Sequence, residues 1–304
     1  MNLPRIPIGD AVDSAIDWIT ANLGWLLDFI SDLLRFLVDG LADVLLAPIE
    51  LVMIAIFTLL ALVVRSWNFA IFSLIAMLLV ASMEMWEPAM ETLSLVLVAT
   101  VIALVIAIPV GILAARNTAV STVVKPILDF MQTMPGFVYL VPVVIFFGIG
   151  VAAGVCATIV FAMAPGVRLT ELGIRQVDKE TVEAGEAFGG TPGQILRGIQ
   201  LPLGLPTIMA GVNQVIMLAL SMAVIAGLVG AGGLGNEVVQ AISRVDVAQG
   251  FEAGLAVVIL AIFLDRLTGA IGQPTEKSLG AMVKRRRADN AAKAQSAVSA
   301  GVAS

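Results

Sequence analysis

Long apolar runs alternate along this chain with short charged interruptions, and the lengths of the runs predict its elements. A helix that crosses a bilayer needs roughly 20 apolar residues. Runs with little or no charge over 48–64, 67–83, 92–115, 206–229 and 253–272 each predict one crossing, the second being short. The run 130–167 is 38 residues without a charge. As a single helix it would be about 57 Å long, too long for one crossing and right for two. Gly148, Gly150 and Gly154 mark the place where those two turn back on each other. The pair Gly150 and Gly154 equally fits a close helix–helix contact. Seven spans result. Pro202 and Pro206 mark the start of the sixth. Asp265 and Arg266 fall near the end of the seventh, where long side chains reach the interface.

The stretch before the first span has a different pattern. Val12, Ile16, Ile19, Leu23, Leu26, Leu27, Ile30, Leu33, Leu34 and Leu37 recur in steps of three and four, which defines one helical face. Residues 1–50 hold Asp10, Asp13, Asp17, Asp28, Asp32, Asp39, Asp43 and Glu50 against Arg5 and Arg35, a net −6 that equals the net charge of the whole chain. No basic stretch precedes an apolar one, so a secretory signal peptide is not expected. Two readings stand: an amphipathic helix on the outer membrane face acting as a scaffold or docking surface, or a helix packed on the bundle. Beyond the last span, Lys284-Arg-Arg-Arg followed by Ala and Ser predicts an anchor beside anionic lipid and then disorder. The chain therefore divides into an N-terminal helix region over 1–46, two accessory spans over 47–90, a five-helix core over 91–275 and a basic tail over 276–304.

Basic residues set the orientation. With the C-terminus inside, Arg65, Arg116, Lys125, Arg168, Arg175, Lys179, Arg197, Arg266, Lys277, Lys284, Arg285, Arg286, Arg287 and Lys293 lie inside, and only Arg5, Arg35 and Arg244 outside. The N-terminus is then outside and the interruption 168–204 inside. Composition agrees with a polytopic all-α membrane protein: 59% of residues are hydrophobic and 13% charged, with a mean hydropathy of +1.01, too apolar for a soluble domain. A net charge of −6 gives no footprint for nucleic acid. The chain has no His and a single Cys, Cys156. It therefore has no His-based acid–base catalysis, no metal site of the His or multi-Cys kind and no internal disulfide.

Two motifs carry chemistry worth weighing. Gly230-Ala-Gly232-Gly-Leu-Gly235 has dinucleotide-type spacing, but a long apolar helix precedes it instead of a strand, so a helix exit with close backbone packing is expected. No phosphate-binding G-x-x-x-x-G-K-[ST] run is present, so ATP is not held here. The interruption 168–202 is the longest charged one between spans. Asp178 is placed to cap a short helix with Glu180 in its first turn and Gly189–Gly190 at its end, with Val182 and Phe188 available for contact. A solvated loop has no need of capped ends, and a helix that docks into a cytoplasmic partner does.

Glu183-Ala184-Gly185, three residues, Gly189, nine residues, Ile199, one residue and Leu201-Pro202 resemble the E-A-A-x-x-x-G-x9-I-x-L-P loop of ABC importer membrane subunits, with Gly185 for the usual Ala. Further segments, 128–142, 206–214, 218–222 and 259–268, resemble the permeases for glycine betaine and proline betaine. With the loop, the likeness covers roughly residues 90–272. It implies the type I importer permease fold in a bacterial cytoplasmic membrane. The loop would be a coupling helix seated in a separate ATP-binding subunit, present in two copies, which binds ATP and Mg; no cofactor is expected in this chain. A second permease copy and an extracytoplasmic substrate-binding protein complete the expected assembly.

A pathway is expected where the core spans face each other. The candidates are Gln132, Thr133, Pro135, Phe137 and Tyr139 before the fourth crossing's apolar stretch, and Asn213, Gln214, Met217, Ser221, Met222 and Ile225 on the sixth span. Asn213, Met217 and Ser221 share a face at i, i+4 and i+8. Polar groups in a membrane helix face protein or water, and interhelical hydrogen bonding is the alternative to a transported ligand. The core spans lack the inward cations an anion pathway needs and the acids, His or Cys a metal pathway needs. Neutral amides and hydroxyls suit a compact zwitterion or soft monocation in transit. Four Trp and one Tyr, none clustered in the core, supply no aromatic cage, so tight recognition falls to the binding protein. Together with this lining, the resemblance to the betaine permeases implies an importer of glycine betaine, proline betaine, choline or a methylamine, serving osmoprotection. Another small solute such as an amino acid, or an ion-coupled secondary transporter, are the competing readings.

Overall fold

The computed structural model describes residues 8–272, and among them every regular element is helical. Arg5, Lys277 and the basic tail lie outside the described residues. The first helix, α1 (Ile8–Leu46), bends at Leu23 and meets α2 (Glu50–Val64) at 99°. Its second half packs on the bundle through Leu34, Val38 and Leu45, and Ser94 Oγ donates to the Val38 carbonyl at 2.5 Å. Trp18, Trp25, Phe29 and Phe36 stay exposed. Part of this region is thus a helix packed on the bundle, while Trp18, Trp25 and Phe29 precede the packed part.

Next come α3 (Trp67–Ser82), α4 (Trp86–Arg116) and α5 (Thr118–Thr133). A 3₁₀ turn, Gly136–Tyr139, leads into α6 (Leu140–Phe147) and then α7 (Val151–Arg175). The loop helix α8 is Lys179–Ala187. A short α9 (Pro192–Ile195) passes through a π turn, Leu196–Gln200, into α10 (Leu201–Ala226). The chain closes with α11 (Gly233–Arg244) and α12 (Val247–Gly272).

Every predicted crossing falls on helix, but the helices differ in what they can span. Trp86–Arg116, Val151–Arg175, Pro192–Val229 and Val247–Ala270 are long and apolar enough to cross alone. Gly9–Leu46 with Glu50–Val64, and Thr118–Thr133 with Gly136–Phe147, qualify only as pairs bent by 99° and 107°. Trp67–Ser82 is apolar but 16 residues long. Length and apolarity thus support four to six crossings where seven are predicted. The fourth shows why. Phe130–Thr133 belongs to the end of α5, and Pro135 holds Met134 in an extended conformation (ψ 134°) that breaks the helix. Only the short Leu140–Phe147 helix follows.

The sixth span also begins elsewhere than predicted. Thr191 and Gln194 form a capping box with Pro192 in the first turn, so the helix starts ten residues before Pro202. Pro202 sits inside a continuous helix. Just before it the register slips, and Leu201 N–H bonds to the Leu196 carbonyl five residues back. A π turn of this kind absorbs the disruption a proline causes.

The body is α4, α7 and α10, brought together by small residues. A Cβ on Gly204 would lie 2.6 Å from the Gly173 carbonyl oxygen, and one on Gly166 would lie 3.0 Å from Ala107 Cβ. Without side chains in the way, backbones approach closely and gain dispersion contact, which drives helix association in lipid. The accessory pair packs elsewhere, on α12: Phe57 and Phe69 flank Phe263 at centroid distances of 5.4 and 5.9 Å. Of the three glycines assigned to the hairpin, Gly148 (φ +72°) and Gly150 (φ +135°) make the turn. Gly154 lies inside α7 against Ala226 and Ala231.

Candidate functional site

Two surfaces bear on function, and the first is the loop between α7 and α9. Because α7 runs to Arg175 and α9 starts at Pro192, the true interruption is 176–191, narrower than the predicted 168–204. Asp178 caps α8, accepting from the Glu180 N–H at 3.4 Å and the Thr181 hydroxyl at 3.2 Å. At the other end Gly189 N–H bonds to the Glu186 carbonyl at 2.8 Å and Gly190 N–H to the Gly185 carbonyl at 3.1 Å. This paired closure is a Schellman motif, and it needs Gly189 at φ +79°.

The α8 helix buries none of its residues. Glu183 and Ala184 face outward, and Phe188 at its tip is 92% exposed. Gly185 faces the protein: a Cβ there would lie 2.6 Å from Ile199 Cδ1. The departure from the usual Ala therefore makes room for Ile199, which supports α8 from below. Leu201 and Pro202 lie within the long helix. A short helix held at both ends, with an exposed aromatic at its tip, has the form of a docking element.

The second surface gathers most of the predicted pathway residues. The 136–139 turn folds against α7 and α10: a Cβ on Gly136 would lie 3.4 Å from Met222 Sδ and 3.5 Å from Ile225 Cδ1. Tyr139 is buried. Its ring meets Phe161 edge-on at 6.2 Å, and its hydroxyl donates to the Met131 carbonyl at 2.5 Å. Tyr139 and Met222 thus pack the joint, whereas Gln132, Thr133, Pro135 and Phe137 stand exposed. On α10, Gln214, Met217 and Ser221 form an exposed stripe that Ile225, half-buried, extends.

Asn213 stands apart from that stripe. Its amide donates to Asp265 Oδ1 at 2.6 Å, and it accepts from the Thr268 hydroxyl at 2.9 Å. It joins α10 to α12, so the i, i+4, i+8 grouping with Met217 and Ser221 gives way to Gln214, Met217, Ser221 and Ile225. Asp265, read from the sequence as reaching for the interface, is engaged by this amide instead. The signal for it was a second polar residue, Thr268, one turn further along an otherwise apolar span.

The glycine-rich run is a helix exit. Gly230, Gly232 and Gly233 all have positive φ. The Gly233 N–H donates to Glu91 Oε2 at 2.7 Å, and the Leu234 N–H to Thr92 Oγ1 at 2.8 Å. The amides that would cradle a phosphate are filled by α4's own side chains. Among the described residues no cluster of acids and Cys could hold a metal ion.

A family model described as "binding-protein-dependent transport system inner membrane component" matches residues 107–276. The glycine betaine transport system permease protein OpuAB of Bacillus subtilis is 48% identical over 88% of this chain and 94% of its own length. The glycine betaine/proline betaine transport system permease protein ProW of Escherichia coli is 42% identical over 88% of this chain and 76% of its own. Among solved structures, an inward-facing MetNI methionine ABC transporter chain superposes with a TM-score of 0.55 at 25% identity, covering 60% of this chain and 91% of that one.

Proposed function

Since this chain belongs to the family of binding-protein-dependent transport system inner membrane components, we propose that it is the permease subunit of an ATP-driven importer for glycine betaine, proline betaine, choline or a related quaternary amine. The observation that carries this reading is α8, a capped helix with no buried residue and with exposed Phe188 at its tip, set within the E-A-x loop. The relatives' names supply the substrate class.

In this reading two ATP-binding subunits grip the α8 helices of two permease copies. ATP and Mg are held in those subunits and not in this chain. Their closure pulls on α8, and through it on α7 and the helix 192–229. These two are locked together at Gly173 and Gly204, so they move as one lever. The exposed stripe on α10, with Gln132, Thr133, Pro135 and Phe137 beside it, faces the second copy and lines the pathway. Gln214 is an exposed polar group on an apolar spanning helix, where lipid would leave its amide unsatisfied and a water-filled path would not. Neutral groups let a zwitterion pass without holding it, which transport requires. Tight binding is left to an extracytoplasmic binding protein. With the short apolar α3 counted as a further crossing, the N-terminus lies outside and α8 inside.

The substrate test is competition. Vesicles carrying this chain with its ATP-binding subunit and binding protein should accumulate radiolabelled glycine betaine, and unlabelled proline betaine or choline should compete. Competition by an amino acid, a peptide or an oxyanion, with none by these amines, overturns the substrate class while leaving the permease reading in place.

A further inference from the structure

At the α8 end of the bundle, of the residues of α5 only Ser121 and Leu128 are buried. Leu128 packs on Ala164 and Val167 of α7, and beside this apolar contact runs a polar one. The Glu171 side chain, 6% exposed, accepts from Ser121 Oγ at 2.7 Å and pairs with Lys125 Nζ at 3.5 Å and Arg175 Nε at 2.9 Å. Arg175 also donates to the Ala114 carbonyl at 2.7 Å, in the last turn of α4. One turn beyond Lys125, Asp129 pairs with Arg168. Ser121, Lys125 and Asp129 follow at steps of four on α5 and meet α7 in antiparallel order, so the contacts form one seam with two rungs.

A polar seam differs from an apolar contact in what it does under load. Hydrophobic burial is non-directional and lets surfaces slide. Charge-assisted hydrogen bonds fix register, and a buried carboxylate stripped of its partners is strongly unfavourable. The seam therefore holds α5 and α7 in one alignment or releases them; it does not yield gradually. Its place gives that property a use. Beyond Arg175, α7 leads within three residues to the cap of α8. Beyond Thr133, α5 leads directly into the 136–139 turn seated on Met222 and Ile225.

We propose that this α5–α7 seam, centred on Glu171, is the joint through which movement of α8 reaches the pathway segment 132–139. The proposal rests on the importer reading above and adds the positioning residues that reading lacks. Glu171 touches no substrate; it acts by fixing α5 to the lever.

The test uses the complete complex in lipid vesicles, with ATP hydrolysis and glycine betaine uptake measured together. Glu171→Gln removes the charge and keeps the size. It should retain hydrolysis stimulated by the binding protein while lowering uptake per ATP by about tenfold, the weight of one charge-assisted hydrogen bond. Asp129 and Arg168 are partly exposed, 64% and 39%, so their variants fold even where Glu171→Gln does not. Asp129→Arg and Arg168→Asp should each uncouple, and the double exchange should restore most of the lost uptake per ATP. A wild-type complex that transports, with variants that keep its uptake per ATP or a double exchange no better than the singles, overturns the joint alone. A wild-type complex that takes up no quaternary amine fails the functional reading, and the joint with it.

Discussion

Gly189 shows how much a single residue can decide. Its φ of +79° lets two backbone N–H groups turn back and close α8. A β-branched side chain in that conformation costs about 1–3 kcal/mol, so Gly189→Val should open the end of α8 and abolish ATP-driven uptake while the protein still inserts in the membrane. Gly185 is the contrast. Its φ is not in the left-handed region, and the atom a Cβ would meet is the mobile end of Ile199. Gly185→Ala should therefore transport at close to the wild-type rate. Uptake with quantified membrane insertion checks both, and normal uptake by Gly189→Val would contradict the account of the cap. These positions were legible because a cap, a helix and a left-handed glycine are local in sequence. The Glu171 cluster was not: Ser121 and Glu171 are 50 residues apart, and only the fold makes them neighbours.

At the scale of elements, what could be read followed apolar length. The helices α4, α7 and α12 stand where charge-free runs place them. The misplaced boundaries involve competing local signals. Pro202 has the sequence appearance of a helix start, but the capping box at Thr191 lies upstream, and the π turn lets one helix pass through. The helix α5 was hidden because Lys125, Asp129 and Pro126 break its apolar pattern; its charges answer charges on α7, a relation no window of one segment contains. The helix α11 is hidden similarly, being short and amphipathic, and starting at the glycine turn that Glu91 and Thr92 fill. For the pathway candidates, what the sequence did not contain is the rotation of α10. Which neighbours Asn213 meets depends on the crossing of α10 and α12, and this turned it toward Asp265.

At the scale of the whole molecule, the basic-residue asymmetry becomes a statement about sidedness. In a Cys156→Ala background, which removes the one cysteine, a cysteine at Lys179 should react only with reagent supplied from the cytoplasmic side, and one at Arg244 only from outside. The reverse pattern would invert the assembly and put α8 out of reach of ATP.

The central claim is that this chain moves its substrate by lending α8 to a separate ATP-binding subunit. It is tested most directly by uptake of glycine betaine into vesicles that hold the permease, binding protein and ATP, with and without the ATP-binding subunit. A parallel series carries Glu183→Lys, which reverses the charge at the outward position 183 of α8. The account predicts uptake only when the ATP-binding subunit and ATP are both present, and loss of that uptake in Glu183→Lys at normal insertion. Uptake that persists without the ATP-binding subunit, driven by an ion gradient instead, would contradict it.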